Sequence, residues 1–459
     1  MARIGKKVLD EAVASRRTVF EETLRKMVEI PSVSMQPDAH HKDVRACAEA
    51  ALALLVDAGA KGARLVETRG FPAVVGTLEA SPSAPTLTIY NHIDVQPADR
   101  EGEGWKREPF KLTTEGDCYF GRGATDDKGP ALAAFAAARM AREFDIPLNV
   151  QFLWESEEEI GSPNFVQVLE AGALRPTDSV VVSDTIWVSA QRPAISVGLR
   201  GLAAVILRLE TGTKDVHSGL TGGAARNPLT ELCEIVARCV DARTGDILIP
   251  GFHDDVVPLS DSERKDFVDS GFSVDAFKAA HGLKSLRSDD AGDVAARIWA
   301  RPTFEVHGIR GGYQGEGVKT AVPPRGELKI SMRLVPDQDP EKAIALLARH
   351  VKSLNPDVEV IAEGKLRAYR GNPDDDFHRA AVAALEDATG VRPAFVREGG
   401  SIGAVLTMKE RFGVPIVFMG LSLPEHGYHA PNEFFDWGQA SAGMKAFVRY
   451  FETLATLKK

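Results

Sequence analysis

Acids and histidines gather at the ends of apolar runs in this chain. The run Thr86-Leu87-Thr88-Ile89-Tyr90 leads into Asn91-His92-Ile93-Asp94. Residues 149–154 lead into Glu155-Ser156-Glu157-Glu158-Glu159, and Val180-Val181-Val182 leads into Ser183-Asp184. A glycine-rich stretch, residues 121–129, carries the pair Asp126-Asp127, and residues 425–433 hold His426, His429 and Glu433. Each piece alone has an ordinary structural reading. A strand-end histidine bonds locally, an acidic run solvates a loop, and an Asp pair caps the next helix. The glycine-rich stretch is neither a Walker loop, since Gly129 follows Lys128, nor a GxGxxG turn. Together the pieces say more. Several carboxylates crowded at one sheet edge repel, and need protons or a cation to coexist. Two divalent metals held by imidazole nitrogens and carboxylate oxygens would resolve this, and pairs roughly 3.5–4 Å apart activate a nucleophile and polarise an electrophile. Oxygen and imidazole donors without thiolate suit Zn²⁺ or Mn²⁺.

A scaffold must bring these segments together. Short apolar strands separated by helical patterns (44–58 and the Ala-rich 130–140 among them) predict an α/β unit with a largely parallel, buried sheet. In such open sheets ligands bind beyond the carboxyl ends of the strands. The pattern changes near residue 196. Residues 195–210 read as one long strand, and 327–334 as a half-buried antiparallel one. Residues 339–354 and 376–389 read as helices, 249–301 as a polar helical insertion with few distinctive features, and 416–419 as a buried strand of the first type. The expectation is a discontinuous catalytic α/β domain over 1–195 and 371–459, interrupted by a smaller α+β domain over 196–370.

Composition narrows the function classes. With 459 residues, 44% hydrophobic and 26% charged, the chain has the make-up of a folded protein of two or three domains, not of a disordered one. The 55 Lys+Arg against 65 Asp+Glu give a net charge of −10, which disfavours duplex nucleic acid as a partner. No apolar stretch of about 18 residues predicts a membrane span, and the start lacks the apolar core of a secretory signal. Cys47, Cys118, Cys233 and Cys239 form no CxxC pair and read as reduced thiols, so the cytoplasm is the expected compartment.

Six motifs in order carry a resemblance: HIDVQPA (92–98), GRGATDDKGP (121–130), ESEEEIGS (155–162), VHSGLTGG (216–223), REGGSI (397–402) and HAPNE (429–433). They resemble the co-catalytic metallopeptidases that include carnosinases, bacterial dipeptidases, aminoacylases, succinyl-diaminopimelate desuccinylases and glutamate carboxypeptidases. HIDVQPA and TDDKGP look most like the carnosinase and dipeptidase branch. The resemblance implies two divalent ions per subunit, Zn²⁺ or Mn²⁺. His92 and Asp184 would hold one, Glu159 and His429 the other, and Asp126 would bridge them. Asp94 would orient the His92 imidazole. Glu158 would be the general base toward a water between the metals. Glu157 is read as a solvated surface acid and His426 as a supporting group. By the same resemblance the inserted domain covers the site as a lid and makes a homodimer, with His217 reaching the partner subunit's site. Arg333 would pair with the terminal carboxylate of a small peptide, assisted by the backbone of Gly399, Gly400 and Ser401. The tryptophans, Trp187 included, are assigned to core or rim.

Three other readings are weighed. An N-acyl amino acid deacylase would share the whole core. A catalytically silent binding relative should lack a ligand or the base, yet every one is present. A two-metal phosphohydrolase should bring phosphate-cradling lysines and arginines, and the motifs hold none beyond Lys128.

Overall fold

In the computed structural model, residues 3–457 are described. Two sheets organise the chain. The larger runs in the order Lys61–Val66, Ala73–Leu78, Asn149–Glu155, Thr86–His92, Ser179–Val182, Ile416–Phe418, Ala194–Leu199 and Tyr369–Arg370, with Ala394–Glu398 branching onto Ala194–Leu199. It is parallel at its centre, where Thr86–His92 lies between Asn149–Glu155 and Ser179–Val182, and antiparallel toward its edges. Every residue of Thr86–His92 and Asn149–Glu155 is buried, because helices cover both faces. Gly129–Glu143, Asp376–Thr389 and Trp437–Leu454 pack on one face, Phe165–Glu170 and Gly403–Phe412 on the other. The α/β class expected from the strand spacing is the class observed.

The smaller sheet is wholly antiparallel, in the order Thr303–Gly311, Arg325–Leu334, Gly201–Glu210 and Glu359–Leu366. Helices Pro228–Cys239 and Pro340–Leu354 cover one of its faces. The alternating burial of Gly201–Glu210 shows that its other face stays open. No helix among the described residues is long and apolar enough to cross a membrane.

The single strand expected over 195–210 is two strands. Ala194–Leu199 belongs to the large sheet and Gly201–Glu210 to the small one, with Arg200 between them. The chain returns between Leu366 and Tyr369, so the two passages cross. The crossing depends on Gly201, where an added Cβ would lie 2.6 Å from the Leu366 carbonyl oxygen.

The polar insertion forms three helices, Asp261–Asp269, Val274–Ala280 and Ala291–Trp299, each with a side-chain N-cap. It docks on the edge of the large sheet. Phe267, Ala295 and Trp299 pack against Ala194, Ala394 and Val396, and Glu263 pairs with Arg397 and, at 3.3 Å, with Arg370.

Gly201→Ala is expected to cost about 1–3 kcal/mol through the forced clash at the crossing, seen as a lower thermal midpoint. Gly212→Ala, whose new Cβ would find its nearest neighbours at 3.8 Å, is the control and should shift the midpoint little.

Candidate metal centre

Three neighbouring strands end at one place. His92 is the last residue of Thr86–His92, the turn Glu158–Ile160 follows Asn149–Glu155, and Asp184 lies just past Ser179–Val182. Asp126 arrives on the turn Ala124–Lys128, and His429 on the loop after Pro424–His426. His92 Nε2 lies 3.0 Å from Asp126 Oδ1 and 3.8 Å from Asp184 Oδ2. His429 Nε2 lies 3.1 Å from Asp126 Oδ2 and 3.1 Å from Glu159 Oε2. Asp126 thus turns one oxygen to each imidazole. His92, Asp126 and Glu159 offer donor atoms all within 4.8 Å of one another.

Buried acids hold this arrangement from behind. The His92 Nδ1–H is directed at the Asp94 carbonyl oxygen, 3.1 Å away, with the Asp94 carboxylate at 3.4 Å, which leaves Nε2 to face the cluster. The Asp94 carboxylate has further partners. It accepts the amides of Glu158 (3.2 Å) and Glu159 (3.1 Å) and the Ser34 hydroxyl (2.7 Å). Glu433, fully buried, accepts from Arg122 Nη1 (2.8 Å) and from the amides of Gly123 (3.0 Å), Thr125 (2.9 Å) and Asp126 (3.1 Å). His426 lies 2.9 Å from Thr125 Oγ1 and 3.0 Å from Asp436, bracing the same turn. The Tyr428 hydroxyl donates to Asp184 at 3.2 Å.

The three consecutive acids separate cleanly. Glu157 is not a solvated surface acid. It is buried, and its carboxylate accepts from the Phe71 amide at 2.9 Å and from Asn164 Nδ2 at 3.0 Å. Glu159 reaches His429, as above. The carboxylate of Glu158, half-buried between them, accepts no hydrogen bond among the described residues.

The electrostatics are those of a cation site. Burial, with repulsion from Asp126 and Glu159, pushes Asp184 up to about 7 against the pull of His92. Burial also lifts Glu158 and Glu159 above the ordinary carboxylate range. For His429 burial acts downward, but Asp126 and Glu159 outweigh it and carry the imidazole up to about 11. Among the described residues no lysine or arginine pairs with Asp126, Glu158, Glu159 or Asp184, so the cluster favours any positive charge it can hold. Lys128 does not supply one, since its ammonium donates to the carbonyls of Met27 (2.9 Å) and Ile30 (3.1 Å). Imidazole and carboxylate donors without a thiolate fit a divalent cation.

At the junction of the two sheets, Arg333 Nη1 donates to Ser401 Oγ at 3.2 Å. Burial lowers the Arg333 pKa, and no acid pairs with it among the described residues. Arg200 fastens the adjoining loop: its Nε donates to the Gly399 carbonyl (3.0 Å), its amide to the Gly400 carbonyl (3.1 Å), and its own carbonyl accepts the Ser401 hydroxyl. His217 is not brought to the centre of its own chain. Its ring is exposed and accepts the Gly219 amide at 2.9 Å.

Sequence reasoning missed the parts played by Glu433, Tyr428 and Arg200. Glu433 and Tyr428 stood inside or beside a quoted motif, which was a signal. Arg200 lay within a run read as one strand and gave none.

A model of peptidase family M20/M25/M40 matches residues 88–453. The Cys-Gly metallodipeptidase dug1 of Schizosaccharomyces pombe is 32% identical over 471 residues, covering 98% of each chain. The Beta-Ala-His dipeptidase of Homo sapiens is 32% identical over 463 residues, covering 95% of this chain and 90% of that one. Among solved structures, the dipeptidase Dug1p of Saccharomyces cerevisiae superposes with a TM-score of 0.87 at 29% identity over 98% of both chains. Human carnosine dipeptidase 1 does so with a TM-score of 0.87 at 28% identity, over 98% of this chain and 99% of that one.

Glu433→Gln keeps the shape of the side chain but weakens its hold on the Asp126 turn. It is expected to reduce metal affinity about 10–100-fold, measured by competition with a chelating dye. An unchanged affinity would mean that the turn needs no such support.

Proposed function

The chain belongs to peptidase family M20/M25/M40, and from that premise we propose that it is a metallodipeptidase with two divalent ions per subunit, Zn²⁺ or Mn²⁺. It hydrolyses the peptide bond of dipeptides or short peptides that end in a free carboxylate. The observation that carries this reading is the Asp126 carboxylate divided between two imidazoles, each with a second acid beside it. His92, Asp184 and one Asp126 oxygen would hold one ion; His429, Glu159 and the other oxygen would hold the second. Bound there, the ions would supply Lewis acidity toward the scissile carbonyl and acidify a water.

The protein's own groups do the rest. Glu158 is the acid of the cluster whose carboxylate accepts no hydrogen bond among the described residues, so it takes the proton of the attacking water and returns it to the leaving amine. Asp94, by holding the amides of Glu158 and Glu159, keeps base and ligand in fixed relation. Arg333, half-buried and without an acid partner among the described residues, binds the terminal carboxylate with its planar fork, and Gly399, Gly400 and Ser401 offer close polar contacts beside it. His217, exposed on the inserted domain, acts in the partner subunit's site of a homodimer. The four cysteines are free thiols, in keeping with work in the cytoplasm.

The test is hydrolysis of a dipeptide panel and of matching N-acetyl amino acids by chelator-treated protein refilled with Zn²⁺ or Mn²⁺. Activity should vanish with the metal, return with it and favour dipeptides. Glu158→Gln should lower kcat about 10²–10⁴-fold while retaining bound metal. Arg333→Ala should chiefly raise KM for dipeptides. Preference for the acetylated substrates would make the protein a deacylase on the same centre. No amide cleavage by metal-loaded protein would overturn the enzymatic reading.

A further inference from the structure

Beside the cluster lies a cavity of about 510 Å³, a size common for small-molecule sites. Its position ties it to the reaction. One end is formed by Tyr428, which precedes His429 and bonds Asp184, the other by Gly399 and Gly400 of the loop beneath Arg333. In the dipeptidase reading, a dipeptide held between that loop and the cluster would lie against it.

The wall between those ends is aromatic, and the helical insertion supplies most of it. Phe272, Phe277, Ile298 and Trp299 line the cavity, facing Trp187 from the large-sheet side. The rings form a chain. Trp299 and Phe272 meet edge-on with centroids 5.5 Å apart, Phe272 and Phe277 lie 5.4 Å apart, and Phe277 and His281 4.4 Å apart. Helix Val274–Ala280 has no fully buried residue. Phe272 and Phe277 are only half-covered by protein, so apolar ring surface remains for an occupant to cover. The wall is also anchored at several points. Ser273 caps the helix between the two phenylalanines by accepting the Ala276 amide, Phe267 and Trp299 are sunk into the sheet edge, and Trp187 Nε1 donates to the Gly420 carbonyl at 2.6 Å. Glu398 and Arg200 also border the cavity: Glu398 with one oxygen accepting the Ile186 amide at 3.2 Å and its carboxyl pushed by burial up to about 7, and Arg200, whose Nε donates to the Gly399 carbonyl.

We infer that this cavity is the side-chain pocket for one residue of the substrate, that it selects a large aliphatic or aromatic residue, and that Phe272 and Phe277 set the preference. The inference rests on the dipeptidase reading and names its substrate class. Desolvating a large apolar side chain against preformed rings gives the discrimination, and such pockets separate large from small side chains by tenfold or more.

The test uses the full-length, metal-loaded protein and two dipeptide series, X-Gly and Gly-X, with X as Ala, Leu, Phe or Glu. Binding of free L-phenylalanine and L-alanine is measured alongside by calorimetry. In one series kcat/KM for Phe or Leu should exceed that for Ala about tenfold or more. Phe277→Ala should shrink the Phe-to-Ala ratio about tenfold. Phe277→Leu should keep the preference for Leu. L-phenylalanine should bind more tightly than L-alanine, and Phe277→Ala should erase the difference. The inference is overturned if the parent cleaves dipeptides without apolar preference in either series. It is equally overturned if Phe277→Ala leaves the ratio unchanged, or if Phe277→Leu loses all substrates alike. Should the parent cleave no dipeptide, the dipeptidase reading fails, and the binding ratio alone then decides for or against the pocket.

Discussion

Like charge at the ends of three parallel strands is the constraint on which the rest of the molecule depends. Two unit charges 4 Å apart repel by about 4 kcal/mol at an effective dielectric constant of 20. Asp126, Glu158, Glu159 and Asp184 meet that situation with only two imidazoles among them. The chain tolerates it by fixing each acid from behind. Glu433 holds the turn of Asp126 through four donors. Asp94 holds the Glu158 and Glu159 amides. Tyr428 steadies Asp184. A site built this way is preorganised for cations, since the repulsion is met during folding and released when positive charge arrives.

The second constraint is geometric. A short peptide needs its terminal charge recognised at a set distance from the reacting carbonyl. In the proposed function these two tasks fall to different sheets. The acid cluster belongs to the large sheet, and Arg333 to the small one. Arg200 stands where the chain passes from one to the other. It also fixes the Gly399–Ser401 loop by hydrogen bonds from its side chain and main chain. The helical insertion adds a third side, anchored to the large sheet through Phe267 and Trp299 although it emerges from within the segment that carries the small sheet.

Much of this was legible in the sequence because it is local. Apolar runs ending in acids gave three strand ends, and helix 376–389 is observed as Asp376–Thr389 with Asp375 as its cap. Helix 339–354 is observed as Pro340–Leu354, with Asp339 capping it. What stayed hidden depends on contacts between distant segments. The alternation of 195–210 runs unbroken through Arg200, and only the close approach of Leu366 to Gly201 reveals the crossing. Glu157 looked identical to its neighbours until Phe71 and Asn164 were placed against it. Glu433 finds its partners some 300 residues earlier. The insertion looked featureless because its aromatic residues are spaced for docking and for lining a cavity, not for one continuous core stripe.

The central claim is that the Asp126 carboxylate joins two cation positions. A crystal structure of the Zn²⁺- or Mn²⁺-soaked protein, with anomalous differences collected at the metal edge, tests it most directly. The account predicts two peaks per chain, one on either side of Asp126, the first against His92 and Asp184 and the second against Glu159 and His429. A single peak, or metal bound away from Asp126, would contradict it.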